Sequence, residues 1–142
     1  MQAAIDQANL GLREGGLPIG CVLVIGGEIV GRGRNRRIQM GSVIHHAEMD
    51  CLERVGRLLH ADYRRATIYT TLSPCDMCSG AILLYKIPHV VIGENQNFSG
   101  PEDYLRSRGV ILEVMQSSEC VKLLRDCIAQ HPDLWQEDIG EP

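Results

Sequence analysis

Two short segments of the sequence combine residue types that bind metal ions and move protons. They are His46-Ala47-Glu48 and Pro74-Cys75-Asp76-Met77-Cys78. Cysteines at positions i and i+3 lie on one face of a helix, so their thiolates can hold the same tetrahedral ion. A histidine supplies a third, neutral ligand, and three protein ligands leave the fourth position open for water, as in catalytic zinc sites. The two segments therefore predict a catalytic zinc ion held by His46, Cys75 and Cys78.

Glu48 has a different role from the metal ligands. It lies two residues beyond His46, and from there it cannot readily bind the same ion from the same helix face. Its carboxylate is placed to act beside the water as a general acid and base. A His-x-Glu segment followed by Pro-Cys-x-x-Cys is the signature of zinc nucleobase deaminases, in which the glutamate is not a ligand. The sequence therefore predicts a hydrolytic deaminase with Glu48 as its catalytic residue.

The cysteines also fit two other kinds of site. A Cys-x-x-Cys segment alone is typical of a thioredoxin-like redox pair. A structural zinc site would need a fourth protein ligand, for which the chain offers His45, Cys21 and Cys51. Neither alternative gives Glu48 a role, so the catalytic site is favoured. For His45 we expect a packed or surface side chain. The other cysteines fall in predicted strands or helices and are interpreted as small core residues: Cys21, Cys51, Cys120 and Cys127.

Length and composition restrict the class of protein. The chain has 142 residues, of which 44% are hydrophobic, and this fits one domain over residues 1–142. No apolar run reaches the roughly 18 residues of a membrane span, and the N-terminus lacks a secretory signal. A net charge of −4 and an aromatic content of 4% argue against nucleic acid as the main partner. We therefore expect a cytoplasmic enzyme with a small-molecule substrate and neither a nucleic-acid nor a membrane partner.

Helices and strands that must position these residues alternate along the chain. We predict helices over 3–14, 45–55, 75–85, 101–108 and 118–129, and strands over 19–25, 28–32, 66–71, 89–92 and 110–115. Residues 34–42 are expected to form a loop, and a polar tail containing Trp135 closes the chain. The alternation implies parallel strands with right-handed crossovers in the second half. The predicted fold is a three-layer α/β/α sandwich with a five-stranded mixed sheet, in which both zinc segments meet in one crevice.

Beyond the zinc segments, the chain resembles the yeast-type cytosine deaminases of the cytidine-deaminase-like superfamily. The resemblance rests on Gly15–Gly20 (GGLPIG), Thr70–Cys78 (TTLSPCDMC), Gly93–Phe98 (GENQNF) and Trp135–Glu141 (WQEDIGE). It runs nearly from end to end. The zinc motif alone fits the whole superfamily, whereas the loops of Asn35 and Phe98 and the tail with Trp135 and Asp138 indicate the free-base branch.

The resemblance implies an activity and a set of contacts. The reaction would convert cytosine to uracil and ammonia in pyrimidine salvage, would extend to 5-substituted cytosines, and would use a homodimer with one Zn²⁺ per subunit. Asn35 and Asp138 would hydrogen-bond the pyrimidine, the Ser73 carbonyl would receive the exocyclic amine, and the Ala47 N–H would bind the ring carbonyl. The walls of the pocket would be Ile19, Phe98 and Trp135. Trp135 fits equally a lid over the substrate and simple docking of a last helix.

The chain departs from the family pattern at four places. His45 replaces an aliphatic residue, Ala47 replaces a glycine, the segment Met49-Asp50-Cys51 differs, and Arg34 and Arg36 flank Asn35. We interpret the arginine cluster over residues 32–37 as a solvated loop or an intersubunit salt-bridge patch. These departures concern fine specificity more than the type of reaction.

Two rival functions remain open at this point. The same site fits deamination of another small cyclic amidine, such as creatinine or a purine base. In a different class, the chain would be a zinc-stabilised module that binds RNA through its arginine cluster. Salt-sensitive RNA binding would support that module, whereas the acidic sequence pI of ≈ 5.7 and the presence of Glu48 argue against it.

Overall fold

The computed structural model describes all of residues 1–142, and a sheet of five strands forms its centre. The strands are β1 (Gly20–Ile25), β2 (Glu28–Arg34), β3 (Ala66–Leu72), β4 (His89–Glu94) and β5 (Ile111–Val114). Their order across the sheet is β2-β1-β3-β4-β5. Strand β1 is antiparallel to β2 and β3, whereas β3, β4 and β5 are parallel to one another. The sheet is therefore mixed, as predicted.

Eight helices surround or extend this sheet. They are α1 (Gln2–Arg13), α2 (Arg37–Met40), α3 (Ala47–Val55), α4 (His60–Tyr63), α5 (Asp76–Tyr85), α6 (Glu102–Ser107), α7 (Ser118–Gln130) and α8 (Pro132–Ile139). None of them combines the length and the apolar character needed to cross a bilayer. The predicted helices and strands all occur, with ends that differ by a few residues.

Helices lie on both faces of the sheet. Successive residues of a strand point to opposite faces, so contacts of neighbouring positions on β1 show which helix covers each face. A side chain at Gly20 would collide with the Ala4 carbonyl of α1, so Gly20 faces α1. Cys21 pairs with Gly33 across the ladder, and a side chain at Gly33 would collide with the backbone of α3. Helices α1 and α3 therefore cover opposite faces. This arrangement confirms the predicted three-layer α/β/α sandwich.

Two segments differ from the sequence-based expectation. The predicted loop over 34–42 is wrong in part, since β2 continues to Arg34 and the short helix α2 follows, ending at Gly41 in the left-handed conformation. The expected polar tail is instead helix α8. Pro132 stands at its first position, where a missing N–H costs nothing. The helix forms because Trp135 and Ile139, four residues apart, place apolar surface on one face against the core.

Arg34 and Arg36 of the arginine cluster are not the freely solvated side chains that we expected, whereas Arg32 is exposed as expected and the intersubunit patch stays a prediction. Arg34 is buried and donates two hydrogen bonds to Glu14 of α1, at 2.8 and 2.7 Å. Arg36 donates to Asp50 of α3 at 3.2 Å. The expectation failed because these partners are distant in sequence, and the end of β2 lies between the two helices that carry them. Arg34 and Arg36 therefore join elements within one chain.

The four cysteines outside the zinc segments are buried and free, which confirms their interpretation as core residues: Cys21, Cys51, Cys120 and Cys127. They pack with the aliphatic side chains that fill the two interfaces between sheet and helices. Leu23, Ile68 and Ile92 are fully buried at the centre of the sheet. The segments that leave the strand ends are therefore attached to a packed core of sheet and helices.

Candidate active site

A cavity of ≈ 320 Å³, measured out to its mouth, lies where β2 and β3 end and α3 and α5 begin. Its lining consists of Ile19, Asn35, His46, Ala47, Glu48, Leu72, Ser73, Cys75, Phe98, Trp135, Asp138 and Ile139. Every site residue predicted from the sequence lines this cavity except Cys78, which lies buried behind Cys75. Leu72 and Ile139 were not predicted. Ile139 lies four residues after Trp135, a helical spacing that would have indicated it had α8 been predicted.

Three side chains in this cavity can hold one metal ion. The ligand atoms of His46, Cys75 and Cys78 all lie within 4.8 Å of one another. His46 Nδ1 is 3.4 Å from Cys75 Sγ. A tetrahedral zinc ion with Zn–S bonds of about 2.3 Å and Zn–N bonds of about 2.0–2.1 Å separates neighbouring ligands by about 3.5 Å. The donor set and its spacing therefore fit zinc.

Helix starts position these ligands. His46 immediately precedes α3, Cys75 immediately precedes α5, and Cys78 belongs to the first turn of α5. The free N–H groups of a helix start carry partial positive charge, which favours thiolates. The pKa of Cys75 is lowered to about 4, mainly because the Cys78 thiol hydrogen-bonds to it and also because His46 does. The same contact raises the pKa of Cys78. These contacts and the helix start thus favour the thiolate form of Cys75.

Glu48 lies deep beside the metal ligands, with 4% of its surface exposed. Thr70 Oγ1 of β3 donates a hydrogen bond to Glu48 Oε1 at 2.5 Å. Burial raises the pKa of Glu48, and the bond from Thr70 partly opposes that rise. A raised pKa suits a group that must accept and release a proton near neutral pH. Sequence reasoning missed Thr70, although its place on the same strand face as Cys21 would have directed it towards α3.

A second carboxylate, Asp138 of α8, lies against the imidazole of His46. Asp138 Oδ1 is 3.6 Å from His46 Nε2 and accepts a hydrogen bond from Asn35 Nδ2 at 2.6 Å. Burial raises the pKa of Asp138, while His46, Asn35 and Arg37 favour its charged form. Burial alone lowers the pKa of His46, but Cys75 and Asp138 outweigh it and the net shift is upward. A carboxylate beside the second ring nitrogen is a common partner of histidines that bind metals.

Aromatic side chains form the outer wall of the cavity. Phe98 and Trp135 meet edge to face, with ring centroids 6.1 Å apart and planes at 81°. Trp135 is buried within α8, which packs against α7. Trp135 is therefore part of a docked helix and lines the cavity at the same time. The ring of Phe98 comes from the loop after β4, so the wall joins two segments far apart in sequence.

Backbone groups of Ser73 and Ala47 border the same cavity. Ser73 Oγ donates to Glu102 Oε1 at 2.7 Å and accepts from Gly100 N at 3.0 Å, so its side chain is engaged outside the cavity. Ala47 is the first residue of α3. Its N–H is one of the groups that have no partner within a helix. His45 does not line the cavity and lies with its Nδ1 2.8 Å from Ser42 Oγ.

Comparison with known proteins adds a family and several relatives. Residues 1–94 match the model of the cytidine and deoxycytidylate deaminase zinc-binding region. The cytosine deaminase of Candida albicans is 49% identical over 142 residues, covering 99% of this chain and 95% of that protein. A tRNA-specific adenosine deaminase of Streptococcus pyogenes is 43% identical over 109 residues, covering 72% of this chain and 65% of the relative.

Solved structures agree with these sequence relationships. A structure from studies of A-to-I editing by tRNA:A34 deaminases has a TM-score of 0.73 and 26% identity, covering 87% of this chain and 97% of that one. The region matched by the family contains all three metal ligands, which confirms the prediction of a zinc site. Helix α8 lies beyond that region, and the similarity to the Candida albicans protein extends over it.

Proposed function

This chain belongs to the family of cytidine and deoxycytidylate deaminases, and from that premise we propose that it hydrolyses free cytosine to uracil and ammonia. Similarity over nearly the whole of the Candida albicans cytosine deaminase supports this substrate. The observation that carries the proposal is helix α8, which brings Trp135 and Asp138 into the cavity.

One Zn²⁺ per subunit belongs in this site, held by His46, Cys75 and Cys78. When bound, the ion supplies a Lewis acid that makes a water molecule nucleophilic at neutral pH. The Asp138 carboxylate lies 3.6 Å from His46 Nε2, on the side of the ring away from the ligand atom, and its negative charge favours this orientation of the imidazole.

Glu48 moves both protons of the reaction. Its Oε1 is engaged by Thr70, so Oε2 is the oxygen that exchanges protons with water and substrate. Glu48 takes a proton from the attacking water and delivers it to ring N3, which makes C4 electrophilic. As the oxygen bonds to C4, Glu48 takes the second proton and passes it to the exocyclic amine. The C4–N bond then breaks, ammonia leaves, and C4 becomes the carbonyl carbon of uracil.

The remaining site residues hold the ring. Asn35 and Asp138 hydrogen-bond one polar edge, the Ala47 N–H donates to the ring carbonyl, and the Ser73 carbonyl accepts from the exocyclic amine. The faces of the ring are covered by Ile19, Phe98 and Trp135. The position of all these residues on one cavity supports the assignment.

Substrate discrimination tests the proposal directly. Cytosine should be turned over, whereas cytidine should react about 10⁴-fold more slowly in kcat/KM, because its ribose occupies the N1 position that the pocket hydrogen-bonds. The measurement is ultraviolet turnover by zinc-loaded protein on both compounds, with ammonia release as a check. Comparable rates on cytosine and cytidine, or turnover of creatinine or a purine base instead of cytosine, would contradict the proposal.

Transfer RNA is the second candidate substrate, because the Streptococcus pyogenes relative is a tRNA-specific adenosine deaminase. Helix α8 contributes Trp135, Asp138 and Ile139 to the lining of the cavity, and we propose that it blocks the access that a nucleotide chain would need. We therefore expect no inosine in an anticodon stem–loop incubated with the enzyme at concentrations that exhaust cytosine. Inosine formation in the stem–loop, without cytosine turnover, would contradict the proposal and identify transfer RNA as the substrate.

Asp138 gives a quantitative prediction. Replacing it with Ala should lower kcat/KM for cytosine by about 10–100-fold, because a buried polar group of the substrate then loses its partner. Asp133→Ala is the matched control, since this exposed aspartate lies on the same helix, and it should leave kcat/KM unchanged. Steady-state kinetics on both variants checks the result. An Asp138→Ala enzyme with the kcat/KM of the wild type would exclude Asp138 from substrate binding.

The proposal extends to assembly, location and substrate range. A homodimer is supported by the partly exposed groove between α3 and α5, which Met49, Leu52, Leu84 and Tyr85 line with apolar surface. Six free cysteines support a reducing compartment such as the cytoplasm. Pyrimidine salvage and acceptance of 5-substituted cytosines complete the proposal. Sedimentation equilibrium tests the homodimer, and turnover of 5-methylcytosine tests the acceptance of 5-substituted cytosines.

A further inference from the structure

Asp50 of α3 is a buried carboxylate outside the cavity, with 1% of its surface exposed. Its Oδ2 accepts the backbone N–H of Arg34 at 3.1 Å, and its Oδ1 accepts from Arg36 Nη1 at 3.2 Å. Arg54 Nε lies 3.0 Å from Oδ2. One carboxylate therefore binds the residue before Asn35 and the residue after it, and joins both to the helix that follows His46.

Asn35 makes its own bonds on three sides. Its N–H donates to the Ile19 carbonyl at 2.9 Å, its Oδ1 accepts from Arg37 N at 3.2 Å, and its Nδ2 donates to Asp138. These bonds fix the amide plane and tie the residue to the segment just before β1 and to α8. Towards α3, the chain on either side of Asn35 is held by the Arg36 N–H, which donates to the His45 carbonyl at 2.9 Å, and by the bonds that Asp50 makes to Arg34 and Arg36.

Arg34, Arg36 and Asp50 form one bonded unit, in which the carboxylate accepts from the backbone of one arginine and the guanidinium of the other. The guanidinium of Arg34 points to the other side, where it pairs with Glu14 of α1. The end of β2 is thus anchored to α1 through a side chain and to α3 through Asp50.

We propose that Asp50 is a positioning residue, which fixes Asn35 relative to the start of α3 and thereby sets the affinity for the pyrimidine ring. The proposal rests on the proposed function, in which Asn35 binds that ring. The carboxylate of Asp50 does not line the cavity and contacts no metal-binding atom, although its backbone N–H donates to the His46 carbonyl at 2.8 Å within the helix. Its effect reaches the ring through the backbone of Arg34 and the side chain of Arg36.

Removing the carboxylate is compatible with folding. The side chains of Arg36 and Arg54 are 27% and 39% exposed, so both guanidinium groups can turn to water in an Asp50→Ala variant. The N–H of Arg34, in contrast, loses its acceptor inside the protein. The end of β2 then keeps its pairing with β1 and the bond from the Arg36 N–H to the His45 carbonyl, but it loses its tie to Asp50, which loosens the backbone on the β2 side of Asn35.

A double-mutant cycle on the zinc-loaded full chain tests the proposal. Asp50→Ala should raise KM for cytosine about tenfold with little change in kcat, because a contact made equally to ground and transition states affects KM. In an Asn35→Ala background the same change should alter KM by less than about twofold, since coupled residues are non-additive. An equal KM rise in both backgrounds would show a merely structural role and overturn the proposal. Asp126→Ala, which breaks a helical ion pair with Lys122 on α7, is the control and should leave KM unchanged.

A second readout does not depend on activity. The side-chain amide signals of Asn35 in a ¹⁵N-labelled, zinc-loaded protein should shift in Asp50→Ala and stay in place in Asp126→Ala, with equal zinc content in both. Unchanged Asn35 signals would overturn the positioning role, whether or not the wild type turns over cytosine. Failure of the wild type on cytosine would by itself contradict only the proposed function. If Asp50→Ala does not fold, Arg36→Ala replaces it. That variant should shift the same signals and raise KM in the same direction.

Discussion

Replacing Glu48 with Gln is expected to lower kcat for cytosine by about 10²–10⁴-fold, the usual contribution of a positioned general acid and base. The amide keeps the shape of the side chain, and its oxygen can still accept the hydrogen bond from Thr70. It cannot carry a proton between the water, ring N3 and the leaving amine. Since Glu48 is not a metal ligand, the variant should bind as much zinc as the wild type.

Steady-state kinetics and elemental analysis on the same preparations check this expectation. Glu53→Gln is a matched control, because Glu53 lies on the same helix and its side chain is exposed. The control should retain both the activity and the zinc of the wild type. A Glu48→Gln enzyme within about tenfold of the wild-type kcat would be inconsistent with a proton-transfer role of the usual size.

Loss of zinc is the second large effect, and Cys75→Ala should produce it. Removing a residue that only supports a metal ligand already lowers metal affinity by about 10–100-fold, so removing the ligand itself should exceed that range. Cys75 is the sulfur with the lowered pKa, about 4, and it is therefore the thiolate that is ready to bind the ion at neutral pH. Activity should disappear together with the metal.

Elemental analysis after dialysis against a weak chelator measures this effect. Cys120→Ala is the control, because Cys120 is a buried cysteine on α7 that does not line the cavity. It should keep its zinc and its activity. If Cys75→Ala retained the zinc stoichiometry of the wild type, the three-residue ligand set would be wrong. His46→Ala should behave like Cys75→Ala, since it removes the nitrogen that lies 3.4 Å from the same sulfur.

The zinc segments show which features of the site can be predicted from local spacing in the sequence. Cys75 and Cys78 are three residues apart at the start of a helix, and Glu48 is two residues from His46. Helix geometry fixes such short separations to within one turn, so the spacing alone indicates which groups share an ion and which does not. Strand and helix periodicity likewise predicted all five strands and their alternation with helices.

Contacts between distant segments could not be predicted in this way. The two residues of the Asn35–Asp138 hydrogen bond are 103 positions apart, and those of the Thr70–Glu48 bond are 22 apart. Each hydrogen bond depends on how several elements pack, and the sequence around one partner does not indicate which residue the other partner is. The solvated interpretation of Arg34 and Arg36 failed for the same reason, since a run of arginines is typical of a solvated surface and their acidic partners lie elsewhere in the sequence.

The sequence by itself therefore determined the fold class and the family and predicted the metal ligands and the acid–base residue, because each depends on local spacing or on motifs within short segments. Tertiary structure alone decided that Asp138 faces His46, that α8 closes the cavity over a space of ≈ 320 Å³, and that Asp50 ties the neighbours of Asn35 to α3. Those features shape the binding of a particular ring. They arise only when the packed sheet and helices bring separate ends of the chain within hydrogen-bonding distance.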